Sequence, residues 1–401
     1  MHWCGWRNNS PARGTDSPNP QDSVLKEFLI LTIYLSGGSN TLFQAGWVAS
    51  FKDKIDPSIK VVNLSIGAST THMSAFRCMH SANLQTGDLL IWEYGINDAN
   101  QIDWIGYPED ELVKAFEQIL IYCARKEVRF AALIFQPRRR ELDAKLTSYR
   151  KKLHELCSNY GVPYFDVPQE YAAANQGSRH IPEHLFTDNV HYALNPNLMD
   201  FIGAGAAALA VAAAVPQCAP ASLSTNQELK VLANFSGGKQ GIFENRIVRV
   251  HTWEPNDEGL HISFQRHGKL LGIIMTATEN GGVFDVSFNG TQFKLTAVAD
   301  EPGFFATLLR FVYLPLLLGR ELPFAPGSEL RLQWATDPAG AQPHFGFKVP
   351  VSDTALKDRE ARVVAVLIEE QPQVLVQPKR QGSLASKAKS FSRNLFQTIW
   401  R

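Results

Sequence analysis

Asp188 and His191 stand three positions apart in the stretch "FTDNVHYALNPN", residues 186–197. Proline, tyrosine and asparagine crowd the segment, so it does not read as the middle of a helix. An acid beside a histidine fixes the imidazole tautomer and stabilises its charged form. That is useful when a third residue must lose a proton. Upstream, three short polar stretches each follow an apolar run: Ser36-Gly37-Gly38-Ser39-Asn40, the stretch beginning at Gly67, and Gly95-Ile96-Asn97-Asp98. Small residues around Ser39 would leave its hydroxyl exposed at a tight turn. Gly67 would let a substrate approach a backbone N–H, and Asn97 offers a side-chain amide donor. A nucleophile, a base with an orienting acid and donors for a developing oxyanion are the parts acyl transfer requires. Asn40, Asp98 and Arg138 are candidate substrate contacts.

Each residue also has an ordinary reading. Ser39 alone is a turn serine, and Asn97 and Asp98 are turn formers. Asp188 alone is a helix cap, and His191 a satisfied loop histidine. The run Arg138-Arg139-Arg140 reads as a solvated helix start, the alternative being contact with an acidic polysaccharide or a phosphorylated carrier. Glu93 is an acid in an apolar strand, expected to hydrogen-bond backbone near the site. His180, Glu183 and His184 in "HIPEH" approach metal-ligand spacing, but Pro182 breaks a continuous helix face. No metal and no cofactor are expected.

The elements that must position these groups alternate. Apolar runs at 27–35, 58–66, 88–95, 128–136 and 162–167 read as buried strands. Helical patterns at 41–55, 109–126 and 141–160 lie between them, and the Ala-rich stretch 202–215 reads as a closing helix. Continuous apolar strands separated by helices predict a parallel sheet covered on both faces, a three-layer α/β/α domain. In such sheets sites collect at the carboxyl ends of strands, where Ser39, Gly67 and Asn97 all fall.

The chain has 401 residues, too many for one ordinary core, which predicts two domains. Residues 1–27 read as a flexible polar leader, 28–216 as the α/β domain and 217–230 as a linker. Residues 231–376 carry short, partly alternating strands with Asn280-Gly281 and Asn289-Gly290 turns, predicting an all-β sandwich. The segment 304–319 interrupts that pattern as a helix or apolar flap. Residues 377–401 form a basic amphipathic tail, suited to an anionic membrane surface, to a protein partner or to packing on the β domain. Lys plus Arg and Asp plus Glu number 39 each, so charge gives no argument for nucleic acid binding. Five scattered cysteines without CxxC fit a reducing compartment, and the leader lacks the apolar core of a secretion signal. The expected location is the cytoplasm, with the tail a candidate contact to the inner membrane surface.

Ser39 of "GGSN", Gly67 of "NLSIGAST", Asn97 of "GIND" and His191 of "DNVH" come in a chain order that resembles the four blocks of the SGNH (GDSL-type) hydrolases, over about residues 28–216. The resemblance implies that Ser39 is nucleophile and first oxyanion donor. It implies a second donor in the Gly67 N–H and a third in the Asn97 side chain. Asp188 and His191 then complete a triad. The chain departs from the family at Gly38, where the family carries the Asp of Gly-Asp-Ser. The implied activity is ester hydrolysis, with a carbohydrate O-acetyl group as the favoured substrate. Transfer of the acyl group to a sugar, or glycan binding without turnover, are the alternatives.

Overall fold

The computed structural model describes residues 32–138, 144–175, 181–217, 227–299, 308–344, 347–348 and 359–371. The leader, Arg139, Arg140, His180, most of the linker and the basic tail lie outside the described residues. The chain divides into two compact units, Met1–Pro220 with Phe243–Val250, and Ala221–Ile242 with His251–Arg401.

The first unit is built on five strands: β1 (Thr32–Gly37), β2 (Lys60–Asn63), β3 (Leu89–Glu93), β4 (Arg129–Ile134) and β5 (Tyr164–Asp166). All pairings are parallel, in the order β2-β1-β3-β4-β5. The central strands are buried on both faces, which explains their unbroken apolar sequences. Alternate residues serve opposite layers. Leu89 and Ile91 join Ile33, Leu35 and Leu133 against Trp47, Phe51 and Ile202. Trp92 instead meets Phe116 edge-on, and Phe116 meets Phe130.

The helices are α1 (Ser39–Leu42), α2 (Trp47–Lys52), α3 (Thr71–Phe76), α4 (Gly95–Ile105), α5 (Glu109–Lys126), α6 (Ala144–Asn159), α7 (Val167–Ala174) and α8 (Pro196–Ala212). The expected helix over 41–55 is broken in two. Phe43 leaves the helical region at the end of α1, and α2 starts afresh after Gly46. The 109–126 helix has the expected bounds, with Glu109, Asp110 and Glu111 in its first turn and Arg125 and Lys126 in its last. That arrangement complements the helix dipole at both ends. The closing helix starts at Pro196, not 202, because Asn195 caps it by accepting from the N–H groups of Asn197 and Leu198. No helix among the described residues is long and apolar enough to cross a membrane.

The second unit is rich in β-structure. One sheet orders β13 (Leu308–Tyr313), β10 (Gly268–Ala277), β17 (Val363–Glu370), β8 (Arg249–Glu254) and β7 (Lys239–Glu244), with β14 (Pro323–Phe324) and β6 (Glu228–Leu232) pairing off that path. The other orders β16 (Ala341–Gln342), β12 (Thr291–Thr296), β11 (Val283–Phe288), β15 (Glu329–Trp334) and β9 (Leu260–Ser263). One hydrophobic cluster draws on both sheets, including Leu270, Ile273, Val363 and Val366 from the first and Phe284, Val286, Leu295 and Leu332 from the second. That is the sandwich arrangement. The described part of the 304–319 segment is neither a flap nor a helix throughout. Leu308–Tyr313 is strand β13, and only Leu314–Leu318 turns helical.

The α2–α8 packing gives a test of fold energetics. Gly203 in α8 is surrounded so closely that a β-carbon there would lie 2.7 Å from Ser50 Cβ and 2.8 Å from the Phe51 backbone nitrogen. Helix propensity alone predicts that Gly203→Ala stabilises by about 1 kcal/mol. Overpacking against backbone costs about 1–3 kcal/mol, and we expect it to win. Thermal unfolding should therefore show a lower Tm for Gly203→Ala, whereas a raised Tm would mean that α2 moves aside freely.

Candidate active site

The strand order reverses between β1 and β3: the chain leaves β1 toward β2 on one side and returns to β3 on the other. In open α/β sheets the loops leaving the carboxyl ends of such strands diverge into a crevice where ligands bind. Ser39 begins α1 directly after β1, and Asn97 lies in the first turn of α4 directly after β3. Gly67 follows β2 and lies against Ser39: a β-carbon on Gly67 would be 3.6 Å from Ser39 Cβ.

The distant segment 186–192 reaches the same crevice. Ser39 Oγ is 2.7 Å from His191 Nε2, and His191 Nδ1 is 2.6 Å from Asp188 Oδ2. With Nδ1–H donating to the carboxylate, Nε2 carries the lone pair that accepts the serine hydroxyl. The D-x-x-H spacing follows from a tight turn. Asp188 Oδ1 accepts the backbone N–H groups of Val190 and His191, leaving Oδ2 for the ring. Burial raises the pKa of Asp188, but the His191 hydrogen bond and then those two N–H groups outweigh it and hold the carboxyl below its ordinary value. Phe43 meets the imidazole edge-on, with ring centroids 5.5 Å apart.

Two residues expected to touch substrate do other work. Asn40 is 4 % exposed. Its Nδ2 donates to the Val190 carbonyl at 3.0 Å and its Oδ1 accepts the Tyr192 N–H at 3.1 Å. It therefore splices the helix carrying Ser39 to the turn carrying His191. Asp98 is fully buried. It accepts the Thr71 N–H, the Thr71 hydroxyl and the Tyr149 hydroxyl, so it anchors the first turn of α4 to α3 and α6. Burial pushes its carboxyl up to about 7 against the pull of these bonds. Arg138 is half-buried, and its backbone N–H donates to the Asn189 carbonyl at 2.9 Å, beside Asp188.

The supporting groups were not singled out from sequence. Asn63 Nδ2 donates to the Thr41 carbonyl, while its Oδ1 accepts the Ser65 N–H. Ser65 Oγ accepts the Gly37 N–H. The buried Tyr94 hydroxyl accepts from Ile66 N–H and donates to the Ile66 carbonyl, holding the chain just before Gly67. Polar side chains clustered in "VVNLS" right after an apolar run were the available signal for the first two. Tyr94 gave none. Gly38, the departure from Gly-Asp-Ser, lies directly against Asn97. A β-carbon at residue 38 would lie 1.9 Å from Asn97 Oδ1, so Asn97's carboxamide occupies the space a side chain there would need.

No protein-family model matches the sequence, and no curated protein matches it. Solved structures do. A two-domain esterase (CEX) active on acetylated mannans, co-crystallised with mannopentaose, matches over 86% of this chain and 91% of its own, with 14% identity and a TM-score of 0.51. An acetyl xylan esterase matches over 43% of this chain and 96% of its own, at 14% identity and a TM-score of 0.38. A protein from Parabacteroides merdae described as a putative GDSL-like lipase matches over 44% of this chain and 95% of its own, at 17% identity and a TM-score of 0.39. The chain thus shares the two-domain fold of the mannan-active esterase, an α/β domain followed by a β-rich domain, in line with its SGNH-like sequence blocks.

The Asn40 splice is directly testable. Asn40→Ala removes the hydrogen bonds to the buried Tyr192 N–H and the Val190 carbonyl, and losing bonds at a buried site costs about 1–3 kcal/mol. Hydrogen exchange at Tyr192 should accelerate markedly, while exchange in β3 and β4 stays slow. Unchanged exchange at Tyr192 would show that the His191 turn holds itself.

Proposed function

We propose that this chain is a serine ester hydrolase that removes O-acetyl groups from a carbohydrate. One observation carries the reading: the hydrogen-bonded line Ser39–His191–Asp188, at 2.7 and 2.6 Å, stands at the reversal point of a parallel sheet. In this mechanism His191 Nε2 takes the Ser39 proton as Oγ attacks the acetyl carbonyl carbon. The carbonyl oxygen gains negative charge and is held by the Ser39 and Gly67 N–H groups and the Asn97 amide. His191 then gives its proton to the departing sugar oxygen, leaving an acetyl group on Ser39. A water, deprotonated by His191, attacks that ester and releases acetate and free Ser39. Asp188 keeps the imidazole in the right tautomer and stabilises its charged form throughout.

The acetylated-polysaccharide substrate is supported by the shared fold with the mannan-active two-domain esterase. Arg138, tied through its backbone to the loop beside Asp188, is the proposed side-chain contact to the polymer. Acyl transfer to a sugar hydroxyl uses the same acetyl-serine with an alcohol in place of water. Assays with a small acetyl ester, with and without sugar acceptors, separate the two by whether acetate or acetylated sugar accumulates. Neither product appearing would favour a glycan-binding module.

Ser39→Ala should abolish turnover of an acetyl ester, a loss of several orders of magnitude, with no change in unfolding midpoint beyond that of a partly exposed residue. An active, folded Ser39→Ala protein would sink the mechanism.

Asn97→Ala should lower kcat about 10²–10³-fold with KM nearly constant, because its amide bonds most strongly to charge that develops only in the transition state. An effect confined to KM would move Asn97 from oxyanion stabilisation to substrate binding.

A further inference from the structure

We propose that Glu93 is the positioning residue of the Ser39 turn, clamping it from both sides; this role rests on reading Ser39 as the nucleophile. Glu93 ends β3 and pairs in register with Gly37 at the end of β1, the last rung of the parallel ladder at the reversal point. Its Oε2 accepts two bonds, from the Gly38 N–H at 3.1 Å and the Thr41 hydroxyl at 2.6 Å. Gly38 is the residue before α1 and Thr41 lies inside it, so Ser39 sits between the two clamped positions. The glycine facing the clamp leaves room for it. A β-carbon on Gly37 would lie 2.6 Å from Glu93 Oε2 and 2.5 Å from the Thr41 hydroxyl. The double glycine of "SGGSN" is therefore the room that Glu93 and Asn97 occupy, one residue each.

Glu93 is a costly choice for its place. It is 1 % exposed at the end of a strand whose other residues are Leu89, Leu90, Ile91 and Trp92. Its Oε1 is buried with no hydrogen-bond partner. Burial pushes the carboxyl up to about 8 against the pull of Thr41 and Gly38. Burying an acid with one oxygen unpaired works against stability, and an apolar residue would suit the strand better. Both of its hydrogen bonds go to the turn that carries Ser39. Holding the Gly38 N–H fixes the peptide plane immediately before the one that presents the Ser39 N–H, and holding Thr41 keeps the turn from opening. The simpler reading is a core carboxyl that matters only for folding. The two differ in what they do to kcat.

The test uses the full chain, a small acetyl ester and the variants Glu93→Gln and Glu93→Leu. Glu93→Gln keeps an oxygen that accepts both donors, so kcat should stay within about tenfold of the parent. Glu93→Leu removes the clamp, and kcat should fall about 10–100-fold with KM within a factor of about two, because misplacement acts on the reacting geometry and not on affinity. Exchange of the Gly38–Thr41 amides should quicken in Glu93→Leu and not in Glu93→Gln. A folded Glu93→Leu protein with parental kcat, a loss lying only in KM, or equal damage in both variants would overturn the proposal. Should Glu93→Leu fail to fold, Thr41→Val removes one of the two donors at nearly constant shape, and an unchanged kcat there overturns it equally. Absence of ester turnover in the parent would instead defeat the hydrolase reading. The exchange measurement then decides the clamp alone, and unchanged exchange at Gly38–Thr41 in Glu93→Leu refutes it.

Discussion

A 2.7 Å hydrogen bond between Ser39 Oγ and His191 Nε2 joins residues 152 positions apart, and the candidate site stands or falls with it. One partly exposed hydrogen bond contributes about 1 kcal/mol, far too little to order the intervening chain. The bond exists because the surrounding structure has already brought its ends together. On one side, β1 is locked between β2 and β3 and delivers Ser39 at its carboxyl end. On the other, Tyr192 is buried next to the catalytic histidine candidate, with its ring against Phe135 and its hydroxyl at the Gln136 backbone. Asn40 then connects the two directly. The imidazole is held by these contacts on its backbone, so its ring needs only Asp188 to set its tautomer.

The region below the crevice accepts unfavourable burial to hold this geometry. Glu93 and Asp98 are buried acids four and one positions from Asn97 in sequence, and burial raises the pKa of both. Asp98 is satisfied by three donors, from Thr71 and Tyr149, and so anchors the start of α4. Glu93 is satisfied on one oxygen only and grips the Ser39 turn. Ala68, directly after Gly67, takes a left-handed backbone with φ of 48°. A non-glycine residue there is strained, and the Tyr94 hydroxyl bonded to Ile66 is one of the contacts that hold the preceding chain in place.

The second unit shows how the same turn dipeptide leads to different structures. Asn289 and Gly290 have φ of 49° and 77° and join Phe288 to its partner Thr291, a two-residue hairpin of the kind the sequence announces. Asn280-Gly281 joins β10 to β11, which belong to different sheets, so no hairpin forms. Gly281 is pressed instead against the Ala297 carbonyl, 1.9 Å from where its β-carbon would be. A local signal marks a change of direction. Which strand the chain then pairs with depends on the core shared by both sheets.

Residue types and local spacing by themselves determined the succession of five strands in the first unit, the amphipathic helix 109–126, the positions of Ser39, Gly67 and Asn97 after apolar runs and the pairing of Asp188 with His191 in an irregular segment. They did so because periodicity reports burial and small or polar residues after a strand report a turn, both short-range properties. The tertiary structure alone decided which polar residues face the crevice. Asn40 and Asp98 are placed in sequence like substrate contacts, yet both are buried and bonded, since their direction is set by α1, by α3 and by Tyr149 from a distant helix. It also decided what lies beside Gly38. The space beside that residue is filled by Asn97, and only folding brings together two positions that are 59 residues apart (97 minus 38). A side chain's partners are fixed by the packing of the whole unit, and no window of sequence contains that packing.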